Sequence, residues 1–125
     1  MAQRYGAAVA LEAPHSTPPE QLSFNALNAA ILQAAAAFAC LGVAPGDVVA
    51  LFAENSPRWL IADQGLMRAG AADAVRGSTA PVEELRYILE DSGAVGLVVE
   101  SAALLHRLAL PPEQLAEVRV RSLQV

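Results

Sequence analysis

The chain contains no lysine, and all of its 8 basic residues are arginine. For this polypeptide taken alone, that absence excludes a Walker-type phosphate clamp and Schiff-base chemistry, both of which need a lysine amine. Cysteine is almost missing too. The single Cys40 rules out an internal disulfide, and its position beside Phe38 and Leu41 on a helical pattern predicts an inert core thiol. His15 and His106 stand far apart, with no cysteine or paired acidic residue at ligand spacing, so no metal site is expected. Clustered positive charge is also lacking: the net charge is -5 and the arginines are scattered singly, which argues against a nucleic-acid partner. The longest apolar run, Ala34 to Pro45, is shorter than the ~20 residues that cross a bilayer. No apolar signal segment precedes Pro14. These absences lead to the expectation of a soluble, cytoplasmic chain without a transmembrane segment.

What is present is a single-domain length of 125 residues with a 54% apolar fraction, much of it alanine. Met1 to Gln21 carries Pro14, Pro18 and Pro19 and reads as an irregular lead-in, with a short strand at Ala7 to Leu11. Ser23 or Asn25 can cap a helix whose inward stripe is Leu27, Ile31, Ala34, Ala35, Phe38 and Leu41, with Asn28 and Gln33 on the wet side. Gly42 stops that helix, and Pro45-Gly46 turns the chain into Val48 to Ala53, a continuous apolar run of the kind buried on both faces of a parallel sheet. Asn55 or Ser56 then caps a helix that starts at Pro57, carries Leu60, Ile61, Gln64, Met67 and Arg68, and ends at Gly70. Trp59 suits a structural role better than a ligand pocket, because a tryptophan in the first turn of a packed helix supplies buried area.

Ala71 to Val75 reads as a strand of small residues that allow a helix to lie close. The loop Arg76-Gly77-Ser78-Thr79-Ala80-Pro81 has the glycine and hydroxyls that can cradle an anion, but no G-x-G-x-x-G and no lysine. A capping role accounts for more of it: Thr79 or Ala80 at the cap, Pro81 at the first helical position, and Glu83 and Glu84 at the positive end of the dipole. Val82, Leu85, Ile88 and Leu89 form the buried stripe of that helix. Arg86 and Glu90 can pair outside, and Glu83, Glu84, Glu90 and Asp91 read as a solvated face. Asp91-Ser92-Gly93 closes the helix. Ala94 to Val99 follows as a strand, Ser101 to Leu110 as a short helix, Glu113 to Ala116 as a further turn and Val118 to Arg121 as a last strand. Strands alternating with helices imply a parallel sheet with right-handed crossovers. A dinucleotide-binding module is excluded, since the turn Glu54-Asn55-Ser56-Pro57 lacks the glycines that let backbone approach a pyrophosphate.

Taken in order, several segments resemble one known family. They are L-S-F-N-A-L at Leu22 to Leu27, L-G-V-A-P-G-D at Leu41 to Asp47, the valine-rich strand, N-S-P-R-W at Asn55 to Trp59, A-G-A at Ala69 to Ala71, and E-E-L-R-Y-I-L-E-D-S-G at Glu83 to Gly93. The chain resembles the beginning of the AMP-forming adenylate synthetases, and its R-G-S-T-A-P-V-E-E-L loop is most similar to the long-chain fatty acyl-CoA and acyl-acyl carrier protein synthetases. The resemblance implies an α/β fold with a partial parallel sheet and flanking helices, the N-terminal part of the large domain. Residues 1–21 would lead into that portion and residues 22–125 would form it, incomplete.

In that family a carboxylate attacks the α-phosphate of ATP, with Mg present, and a thiol of coenzyme A or acyl carrier protein then displaces AMP. The segments that carry this chemistry, among them a lysine-containing phosphate loop and a C-terminal lysine, lie later in such enzymes and have no counterpart here. No catalytic, cofactor-binding or metal residue is therefore assigned, and no cofactor is expected for this chain alone. The resemblance implies a fragment of an acid-thiol ligase, inactive alone, that self-associates or needs the remainder of the synthetase to cover its apolar sheet edges. The alternative is a stand-alone, non-catalytic α/β binding or interaction module derived from the same family.

Overall fold

The computed structural model describes residues 9–13, 20–113 and 119–122. Two short strands, β1 (Val9–Ala13) and β2 (Glu20–Ser23), pair antiparallel with Val9 opposite Ser23 and an irregularity between Val9 and Leu11. The lead-in is thus more regular than its prolines suggest, and its first strand sits later than expected; Ala7 and Ala8 lie outside the described residues. The chain continues through α1 (Phe24–Cys40), β3 (Val48–Phe52), α2 (Pro57–Arg68), β4 (Ala72–Arg76), α3 (Val82–Asp91), β5 (Gly96–Val99), α4 (Ala102–Leu108) and β6 (Arg119–Ser122). Four strands form one parallel sheet in the order β4-β3-β5-β6. The alternation of strands and helices read from the sequence is realised as an α/β fold.

Successive side chains of a strand point to opposite faces, and the core divides accordingly. Ala50 and Phe52 of β3, with Leu97 and Val99 of β5, face Leu85 and Leu89 of α3 and Leu104 and Leu108 of α4. Val49 and Leu51, with Val98, face Phe38 of α1 and Ala62 and Leu66 of α2. Each fully buried side chain of this size contributes about 1.5–3 kcal/mol relative to exposure, so neither helical layer is dispensable. The unbroken run Val48 to Ala53 is apolar because both of its faces are covered.

Local signals act where the sequence places them. Ser23, Ser56 and Ser101 each accept a hydrogen bond through Oγ from the amide three residues on, at 3.1, 3.1 and 3.2 Å, and such caps contribute about 1 kcal/mol apiece. Pro57 occupies the first turn of α2, and Gly42, Gly70 and Gly93 follow their helices with left-handed φ. The expected stripe of α1 turns inward, while Asn28 and Gln33 are exposed.

Other expectations are corrected. Cys40 is exposed rather than a core thiol: two residues past the buried Phe38 it has rotated ~200° around the helix. Met67 is 57% exposed, and the inward positions of α2 are Ala62, Gly65 and Leu66. The small residues of β4 lie at the sheet edge, and α1 and α2 also approach closely, where Gly65 meets Ala34. Arg86 does not reach Glu90; its Nε donates to the Leu108 carbonyl at 2.7 Å, tying α3 to the end of α4. Residues 114–116 of the further turn, Val118, and the side chains of β6 lie outside the described residues.

Candidate functional site

In open parallel sheets the carboxyl ends of the strands are where ligands gather. Here β3, β4 and β5 end side by side and release Glu54, the Arg76 to Thr79 loop and Glu100 at one edge. Glu54 joins all three. Its amide donates to Glu100 Oε2 at 3.1 Å. Its own Oε1 accepts from the Ser78 hydroxyl at 3.2 Å, the Thr79 amide at 3.2 Å and the Thr79 hydroxyl at 3.1 Å. These bonds, the Thr79 amide foremost, hold the Glu54 carboxyl below its ordinary pKa. A Cβ at Gly77 would stand 3.1 Å from Glu54 Oε1, so the glycine lets the loop close around the carboxylate. Ser78 is buried, and its carbonyl accepts from Arg107 Nη1 at 3.4 Å.

The anion-cradling arrangement of the loop is therefore real, and the anion is the chain's own Glu54. This overturns the capping role expected for Thr79 or Ala80. The cap position of α3 is held by Pro81, without any side-chain cap, and the Thr79 hydroxyl is turned to Glu54. Glu84 stays on the solvated face but is not free there, since Arg76 Nε donates to its Oε1 at 2.7 Å. Mainly through that bond, the pair raises the Arg76 pKa and lowers that of Glu84.

Beside this network lies a cleft of about 250 Å³ lined by Glu54, Asn55, Trp59, Val75, Arg76 and Gly77. Trp59 is half-buried against the α1 and α2 side of the core, as its structural role requires, and also forms part of the cleft wall. His106 is exposed on α4, and His15 lies outside the described residues. Among the described residues no three of His, Cys, Asp and Glu come together in a way that could hold a metal ion. Nor do the residues present fit a nucleotide phosphate. The loop donors are already bonded to a carboxylate whose charge would repel phosphate, and no lysine stands by to offset it. Sequence reasoning missed Glu54 because the hydroxyls that engage it follow 24 and 25 residues later, in no recognised spacing.

Among the described residues no helix is long and apolar enough to cross a membrane. The sequence profile of the AMP-binding enzymes matches residues 1–124. Over 108 residues the chain is 44% identical to the chloroplastic long-chain-fatty-acid–[acyl-carrier-protein] ligase AEE15 of Arabidopsis thaliana, covering 86% of this chain and 15% of that protein. It is 41% identical over 107 residues to the probable acyl-activating enzyme 16, also chloroplastic, of the same plant, with the same coverage. The chain thus spans about 15% of the length of these curated relatives. The crystal structure of the N-terminal domain of FACL13 from Mycobacterium tuberculosis superposes with a TM-score of 0.80 at 24% identity, covering 95% of this chain and 31% of that one. The N-terminal subdomain of Klebsiella oxytoca NpsA, in complex with 3-hydroxybenzoyl-AMSN, does so with a TM-score of 0.78 at 24% identity, covering 97% and 27%. With a family match along nearly all of its length, this chain belongs to the AMP-binding enzyme family.

Proposed function

We propose that the chain is the N-terminal portion of an ATP-dependent, AMP-forming acid-thiol ligase acting on fatty acids, and that alone it forms no adenylate. Residues 22–125 make up the incomplete domain, and residues 1–21 lead into it. The observation that carries this reading is the 44% identity to a fatty-acid ligase of which the chain covers only 15%. The chain's own anion loop, filled by Glu54, supports the second half of the proposal. In the whole protein this portion serves as scaffold: two buried strands and four helices hold rigid the edge on which later segments build the nucleotide and acyl sites. ATP, Mg, a fatty acid, and coenzyme A or acyl carrier protein are the partners proposed for that whole enzyme, in a cytoplasmic setting.

The test is pyrophosphate release from ATP and Mg with a long-chain fatty acid. The isolated chain is expected to match a no-protein control, and release clearly above it would overturn the proposal. Continuation of the reading frame into a lysine-containing phosphate loop is the observation that separates this reading from a stand-alone binding module. Exposed sheet edges at β4 lead us to expect self-association of the isolated chain, visible by sedimentation; a sharp monomeric boundary contradicts that part.

A further inference from the structure

Asp73 lies on β4, the edge strand, opposite Val49 of β3. Its Oδ2 is buried, and no donor reaches it. A carboxylate oxygen removed from water without a hydrogen bond is costly, so its surroundings have to supply a proton or a donor. The polar group within hydrogen-bond reach is the carboxyl of Asp63 on α2, whose Oδ2 already accepts from Gln64 Nε2 at 3.1 Å. Two carboxylates have no hydrogen between them to share, and a single proton satisfies both.

We propose that Asp63 and Asp73 share a proton and so form a clamp that ties the edge strand β4 to α2 and releases it when the proton leaves. The inference goes beyond the ligase reading and does not depend on it. Among the described side chains, other charges around the pair are engaged elsewhere or turned away. β3 has no titratable side chain from Val48 to Phe52, and Asp47 just before it accepts from the Ala44 amide at 2.8 Å. On α3, Glu84 is bonded to Arg76, which stands three residues along β4 from Asp73 and hence on the other sheet face. Arg58 and Arg68 flank Asp63 at five residues on either side, about 140° around the helix, and both are exposed.

Burial first, then the bond to Asp63 and its charge, push the Asp73 carboxyl up to about 7. The folded chain therefore holds this proton more tightly than the unfolded chain. The stabilisation is complete in acid and is lost as pH rises through about 7.

The test follows the carboxyl carbons of the full chain by NMR and the amide exchange protection of β4 from pH 5 to pH 8. Asp73 is expected to titrate with a midpoint near 7, and protection factors of β4 amides to fall across that midpoint while those of β5 hold. Asp73→Asn, whose amide donates to Asp63 at every pH, should abolish the loss. Asp63→Asn supplies Asp73 with a permanent donor and should lower its midpoint, a readout that remains if the first variant folds poorly. An Asp73 midpoint near 4, or β4 and β5 protection changing in parallel, would overturn the clamp.

Discussion

Gly65 sits in the middle of α2, where glycine costs about 1 kcal/mol relative to alanine. Propensity alone therefore makes Gly65→Ala stabilising by that amount. Packing opposes it: a Cβ at residue 65 would lie 2.7 Å from the Ala34 Cβ and 3.3 Å from the Ala35 amide nitrogen on α1. Carbon atoms rest at about 3.5–4.0 Å, so the helices have to separate by roughly 1 Å. Overpacking of this kind costs about 1–3 kcal/mol. The balance is a net loss of about 1 kcal/mol, or roughly 3–5 °C in Tm for a chain of this length. Urea unfolding followed by circular dichroism at fixed pH measures it, and Ala34→Gly with Gly65→Ala completes a cycle. The exchanged pair restores the clearance, so the double variant should be more stable than the sum of its single variants predicts, by about 2 kcal/mol. A Gly65→Ala chain stabilised by the full helix-propensity gain, with no coupling to Ala34, would refute the argument that this contact sets the α1 to α2 distance.

Removing the Glu54 carboxylate in Glu54→Ala leaves the Ser78 and Thr79 donors without their acceptor. Exchange at the Thr79 amide should accelerate by at least tenfold while β3 amides stay protected, as hydrogen exchange with mass spectrometry would record; unchanged Thr79 exchange would count against the latch. In acid, Glu54 and Glu84 act in the opposite sense to Asp73. Their folded pKa values are lowered, so the stability they contribute is present above about pH 4.5 and disappears as pH falls below it. Thermal melts across pH should therefore show a maximum near pH 4.5 and a decline from there toward about 7, and loss of the acid arm in a Glu54→Gln, Glu84→Gln double variant checks the assignment.

Much of this fold is governed by short-range rules and was legible without coordinates. Ser23 and Ser56 cap their helices because a hydroxyl just before an apolar periodic run has an unbonded amide within reach. Val48 to Phe52 and Gly96 to Val99 announce a doubly covered sheet because no polar residue interrupts them. The family, too, follows from residue order alone. The tertiary structure decided which groups meet. Strand order puts β3 beside both β4 and β5, and only then do Glu54, Ser78, Thr79 and Glu100 share one edge. The same order places β4 at the rim and brings Asp73 to Asp63, ten residues earlier in a different element. Periodicity says which side of a helix or strand is buried; it carries no information on the partner that side will find. A charge such as Glu54 can serve as a solvated carboxylate or as the filling of an anion loop, and that choice rests on long-range packing.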